Sequence, residues 1–259
     1  MNYGFHLSTA GVITQMRKLD VIANNLANVE TVGFKPDFLV AVDRKPERLE
    51  NSNSAGIEPN ALLERLGGGK LFLPTQTDFS GGAIEPTGRD LDAAIKGEGF
   101  FMLESRDSKS SDKFLTRNGN FEVNTKGHLV LSTSGQAVLD QDGARIQIDP
   151  TKKILVGNDG TVSQDGSAIA QLAIVKPARA DTMVKDGHNA FRVRGGKILS
   201  MIGGASEIQQ GALERSGTDP VRTLASMIAT TRALEFGTQM MRTQDEMTGR
   251  LFQTFGRMS

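Results

Sequence analysis

FHLSTAGVITQMRKLDVIANNLANV, residues Phe5–Val29, decides how this chain is read. Phe5, Val12, Leu19, Ile22, Leu26 and Val29 recur at spacings of three, four or seven, with Ser8 and Gln15 interrupting the seam. That is the a/d pattern of a coiled-coil helix. Gly33 is expected to stop the helix and Pro36 to prevent its continuation. A counterpart lies at the other end of the chain. Asp219 suits an N-cap and Pro220 the first helical position. Leu224, Met227, Ile228, Leu234, Met241, Leu251, Phe252 and Phe255 then mark a stripe of helical period, widened by Met240 and Met247. Methionine adapts to irregular contacts. Gly237 and Gly249 either weaken this helix or admit a close neighbour.

Neither end segment has an obvious partner except the other, and one apolar stripe does not offset the ordering entropy of so long a helix. The two ends are therefore expected to pair, with their remaining apolar surface covered by other subunits and both ends largely disordered in the free monomer. Asn24, Asn25 and Asn28 are unusual in a helix, because asparagine competes for backbone hydrogen bonds. Two readings stand: the three sit on a solvated face near a fraying end, or their amides bond across to neighbouring chains and fix register.

Between the ends the pattern changes. Residues 35–70 read as a linker, mixed from residue 44 onward: charged and polar through Asn60, with a short helical stretch at Ala61–Leu66 before Gly67-Gly68-Gly69. From Leu71 turn signals recur. Gly119, Gly127, Gly135 and Gly143 stand eight residues apart, in Asn118-Gly119, Lys126-Gly127, Ser134-Gly135 and Asp142-Gly143. Such pairs favour hairpins. Phe121 and Val123, Leu129 and Leu131, and Ile146 and Ile148 alternate as half-buried strands should. Further turn pairs follow at Asp159-Gly160, Asp165-Gly166, Asp186-Gly187 and Gly195-Gly196. The fold class is α+β: long terminal helices (1–34 and 219–259) pairing as an antiparallel, coiled-coil-like unit, and a central all-β domain (71–218), an antiparallel sandwich or irregular barrel.

Composition excludes several functions. With 30 basic and 30 acidic residues among 259 there is no electrostatic footprint for nucleic acid or an anionic membrane. The absence of cysteine rules out disulfides, thiolate metal sites and a cysteine nucleophile. No run approaches 18 apolar residues, and the N-terminus lacks the basic start and apolar stretch of a secretory signal peptide. Chemistry is equally sparse. His6, His128 and His188 lack metal-site spacing, and His128 beside Gly127 reads as a turn residue. Gly69-Lys70 is not a phosphate loop, since Leu71 follows the lysine and Arg65 occupies the first glycine position. Asp140-x-Asp142-Gly143 is a turn and not a calcium loop, because later ligand positions are missing. Gly97-Glu98-Gly99 lacks the third glycine of a dinucleotide site. Asp90 and Asp92 have no neighbour that would tune them for acid–base work. No catalytic residue, cofactor or metal is expected.

Four motifs in order carry a resemblance. Ala23-Asn24-Asn25-Leu26-Ala27-Asn28, continuing through Thr31 to Gly33-Phe34-Lys35, resembles the N-terminal signature of bacterial flagellar rod and hook proteins. Thr87-Gly88-Arg89-Asp90-Leu91-Asp92-Ala93-Ala94-Ile95, followed by Gly97-Glu98-Gly99-Phe100-Phe101, resembles that family's entry into its β-domain. Phe114-Leu115-Thr116-Arg117-Asn118-Gly119-Asn120-Phe121 is similar to its next strand and turn, and Gln210-Gly211-Ala212-Leu213-Glu214-Arg215-Ser216 to its return toward the terminal helix. Met183–Asn189 and the short connection around Gly196–Gly211 are more similar to proximal than to distal rod subunits. Ser216-Gly217-Thr218 and Arg232-Ala233-Leu234-Glu235-Phe236 depart from the usual family pattern.

The resemblance implies a structural subunit of the flagellar basal-body rod, in the part that crosses the periplasm. Such subunits are exported unfolded through the flagellar type III apparatus, and their terminal helices line a channel. Its partners would be itself, other rod and hook proteins and the export apparatus, with no nucleic acid, small-molecule substrate or membrane insertion. Asn24, Asn25, Leu26, Asn28, Gly33 and Phe34 would pack at the base of the N-terminal helix, below Leu19 and Ile22 of its seam. Leu224, Ile228, Met241 and Phe252 would pack along the C-terminal helix. Outside this family, an exported glycan- or wall-binding β-domain is the alternative, disfavoured by one tyrosine and no tryptophan to stack on sugars.

Overall fold

The computed structural model describes residues 3–43, 70–105, 113–179, 182–193, 198–200 and 206–256. The fold is α+β, with one helix near each terminus and strands between them. The chain divides into two compact units. The first holds both helices and residues 37–78, and the second holds residues 28–36 and 79–219.

In the first unit, helix α1 spans Tyr3–Ala27 and helix α2 spans Pro220–Gly256. They run antiparallel: Val12 lies beside Gly237, and Ser8 Oγ, one turn back along α1, lies 3.5 Å from Gln244 Nε2, two turns on along α2. Ser8, Val12, Gln15, Leu19, Ile22 and Leu26 are shielded along one face of α1, the middle of the expected seam; its two ends are corrected, since Phe5 is exposed and Val29 lies beyond the end of the helix. The described ends of the segment after α1 form ribbon-like pairs, Asp37–Phe38 with Gln76–Thr77 and Ala41–Asp43 with Lys70–Phe72. The helical stretch expected at Ala61–Leu66 and the Gly67–Gly69 run lie outside the described residues, as does the Gly195-Gly196 turn.

The second unit is built around a six-stranded antiparallel sheet. Its order is Met183–Lys185, Ala190–Val193, Lys113–Thr116, Phe100–Leu103, Ile174–Pro177 and Ile198–Ser200. The sheet stays open at both ends, so the barrel alternative is corrected: among the described residues no sheet closes on itself. Successive residues point to opposite faces of a strand, and here both faces are apolar. Phe101, Leu103, Phe114 and Ile174 join one core with Phe121, Leu129, Leu131, Ile146 and Ile148. Phe100, Met102, Leu115, Val175, Phe191 and Val193 form a second core. There Phe79, Phe100 and Phe191 meet edge to face with centroids 5.3–5.8 Å apart.

Two glycine expectations are also corrected. α1 ends at Ala27, six residues before Gly33, so Gly33 is not the helix stop. Asn118-Gly119 joins strands that do not pair with each other, and Gly119 has no positive φ. Glycine is needed there because a Cβ would overlap the Ala93 carbonyl.

Candidate assembly surface

Helix α2 sorts its residues by size in a way the sequence stripe did not anticipate. Thr223, Met227, Thr230, Leu234, Gly237, Met241, Gln244 and Thr248 are shielded, at spacings that alternate four and three. This inward row carries three large apolar side chains; its other members are threonine, glutamine and glycine. Val221, Leu224, Ile228, Phe236, Met240 and Met247 are exposed, Ile228 at 57% and Phe236 at 66%. The single stripe expected along the helix therefore splits: Met227, Leu234 and Met241 turn inward, Leu224 and Ile228 outward. Phe5, Ile13 and Met16 are likewise exposed on α1. Phe252 lies in α2, but its side chain is outside the described residues.

The three asparagines separate. Asn24 is exposed. Asn25 clamps its own chain: Nδ2 donates to the Asp37 carbonyl at 2.7 Å and Oδ1 accepts from the Asp37 amide at 2.9 Å. This is the pairing a neighbouring strand would offer, supplied by one side-chain amide. Asn28 Oδ1 accepts from Thr31 Oγ1 at 3.2 Å, within a turn closed by the Thr31 amide and the Asn28 carbonyl.

In the second unit the motif segments meet at a buried charge network. Lys35 Nζ lies 2.6 Å from Glu214 Oε1 and donates to the Ser80 carbonyl at 2.5 Å. Arg117 Nη1 lies 3.2 Å from Glu214 Oε2, and Nη2 donates to the Gly97 carbonyl at 2.8 Å. The Gly82 amide donates to Glu214 Oε1 at 2.8 Å. Burial lowers the Arg117 pKa while Glu214 opposes the shift, and guanidinium keeps its charge. Arg117 also lies over the Phe100 ring, 5.2 Å from its centroid.

Backbone contacts lock the same crossing. The Gly33 amide donates to the Glu214 carbonyl at 2.6 Å, and the Gly217 amide to the Phe34 carbonyl at 2.9 Å. Gly33 has φ +66°, and a Cβ there would press on the Arg117–Asn118 peptide. Phe34 is buried beneath Lys185, whose Nζ stands 4.3 Å from the ring centroid and donates to the Lys35 carbonyl at 2.6 Å. Asn189, at φ +58°, donates to the Val32 carbonyl. The second motif is tied to the fourth through buried Asp92, whose Oδ2 accepts from Thr87 Oγ1 at 2.6 Å and whose carbonyl accepts from the Gly211 amide at 2.7 Å.

Lys35, Arg117, Asp92 and Glu214 were missed as site residues. Their signal was present as charged residues inside the four motifs. Elsewhere Asp140 Oδ1 accepts from the Asp142 and Ala144 amides at 3.0 and 2.7 Å, so this carboxylate closes a turn.

Comparison with known proteins follows the same segments. A model described as flagella basal body rod protein matches residues 8–35. The flagellar hook protein FlgE/F/G D1 domain matches 94–164, and the flagellar basal body rod FlgEFG protein C-terminal model matches 209–254. The chain is 31% identical over 262 residues to the flagellar basal-body rod protein FlgF of Caulobacter vibrioides, with 100% of both chains covered. It is 32% identical over 255 residues to the flagellar basal-body rod protein FlgG of Bacillus subtilis, covering 92% of this chain and 93% of that one. The chain belongs to the flagellar basal-body rod protein family. It is a structural subunit of the flagellar basal-body rod, and the charge network ties together segments that lie within all three matched regions.

Proposed function

We propose that this rod subunit polymerises through the outward faces of α1 and α2, forms part of the drive shaft and the channel within it, and occupies the proximal part of the rod. The observation that carries this is the sorting along α2: small and polar residues predominate inside the chain, while Leu224, Ile228, Phe236 and Met240 face solvent. Apolar surface of that extent on paired helices is stable once other subunits cover it. Leu224 and Ile228 act as subunit contacts; Leu19, Ile22, Leu26 and Met241 hold the helix pair; Asn25 fixes the exit of α1. Gly33 and Phe34 anchor the β-unit, and Asn24, Asn28 and Phe252 complete the assembly set. The terminal helices are the tube-forming domain.

Its partners are further copies, other rod and hook proteins and the export apparatus, and it performs no catalysis. The proximal position rests on the Met183–Asn189 segment, which forms a strand and the Asp186–Ala190 turn. A distal or hook-type position is the alternative, because the family models span rod and hook proteins alike. Cross-linking mass spectrometry on purified hook–basal bodies tests both. Links from α1 and α2 to neighbouring subunits are expected, and the identity of those neighbours separates proximal from distal. Absence of the protein from the particles, or links from its β-region alone, would overturn the proposal.

A further inference from the structure

Helix α2 holds two interior glycines, and their surroundings differ. A Cβ on Gly249 would meet nothing within 4 Å, whereas a Cβ on Gly237 would stand 2.9 Å from Val12 Cγ2. Valine in a helix is held to one dominant χ1 rotamer, so that methyl does not swing away freely. Gly237 is also the one position without a side chain in the shielded row of α2 that runs from Thr223 to Thr248. Sliding α2 by seven residues in either direction would set Thr230 or Gln244 where Gly237 now receives Val12.

We propose that Gly237 is the positioning residue that fixes the register of the α1–α2 pair, as the hole that receives Val12. The rest of the seam specifies register weakly, because threonine and glutamine are tolerated in more than one alignment and the neighbouring methionines are adaptable. The Val12–Gly237 contact breaks that degeneracy sterically. In a chain whose outer faces must meet other subunits, a slipped pair would present Leu224 and Ile228 at the wrong height. The consequence for assembly rests on the proposed rod role, while the register assignment itself does not.

The natural absence of cysteine gives a clean test. In the full-length chain carrying Ser8→Cys and Gln244→Cys, a short bis-maleimide should link the two positions, both in solution and in purified hook–basal bodies. Adding Gly237→Ala should abolish that link although alanine raises intrinsic helix propensity. Adding Val12→Ala to the Gly237→Ala chain should restore it, and Gly249→Ala should leave it unchanged. Gly237→Ala linking as well as the parent, failure of Val12→Ala to restore the link, or no link in the parent in either state would overturn the assignment. A parent that links in solution but never enters the particles would count against the rod role and leave the register standing.

Discussion

Lys35 Nζ and Glu214 Oε1 stand 2.6 Å apart although 179 residues separate them in the chain, and both side chains are essentially out of solvent. Glu214 also meets Arg117, so one carboxylate faces two buried cations. Breaking such a group by removing its centre leaves uncompensated charge, at a cost of about 3–5 kcal/mol. Glu214→Ala should lower stability by that amount in urea unfolding followed by far-UV circular dichroism. Replacing all three together, as Lys35→Met, Arg117→Met and Glu214→Leu, should recover part of the loss, because no orphaned charge remains. A Glu214→Ala chain as stable as the parent would contradict the network.

Gly119 and Gly135 separate two reasons for glycine. A Cβ at Gly119 would overlap the Ala93 carbonyl, which accepts no relief from a side-chain rotation. Gly135 has open space and φ +67°. Gly119→Ala should therefore prevent cooperative folding of the β-unit, while Gly135→Ala should cost only about 1–2 kcal/mol, the left-handed penalty. Thermal unfolding of the two variants checks this, and equal melting temperatures would refute the close-approach reading.

Ile228→Asp tests function apart from stability. Ile228 is 57% exposed, so a charge there should change the stability of the chain in solution by no more than about 0.5 kcal/mol. In the rod the same charge would be buried without a partner. Swimming in soft agar should be lost while the soluble protein unfolds as the parent does. Normal motility would count against the outward face of α2 as a contact.

Acid sensitivity should be gradual. Hydrogen bonds from Thr161 lower the Asp159 pKa, and hydrogen bonds from Thr151 lower that of Asp149. A carboxyl group whose folded pKa is depressed contributes stability above its unfolded pKa, near 4, and loses it as the pH falls through the folded value. Asp159→Ala should therefore narrow the stability difference between pH 5 and pH 3. An unchanged difference in urea midpoint would show that the Asp159–Thr161 bonds do not hold the turn.

Local signals were the legible part of this fold. Lys126-Gly127, Ser134-Gly135 and Asp142-Gly143 are turns with positive φ at glycine, and each is closed by a backbone bond within four residues, such as the Gly127 amide to the Asn124 carbonyl at 2.9 Å. The seam of α1 was legible because Val12, Leu19 and Ile22 share one face by spacing alone. What depended on distant partners was not. Gly119 carries the same dipeptide signal as a hairpin turn, yet its neighbour is Ala93. Leu224 and Met227 belong to one apolar stripe by composition, and only the position of α1 divides them. Phe100 and Phe101 are both buried because apolar groups lie on each side of their sheet, so alternation in that strand marks two cores and no solvent face. The charges at Lys35, Arg117 and Glu214 carry no local signal that they meet, and only the path of the chain brings them together.

The central claim is that the exposed apolar face of α2 is covered in the rod. Ile228→Cys supplies the only thiol in the chain, and its reaction with a maleimide can be compared in the purified subunit and in intact hook–basal bodies. Rapid labelling of the free subunit and strong protection in the particles is the predicted result. Equal labelling in both would show that this face stays open to solvent after assembly, and the proposed mode of polymerisation would be wrong.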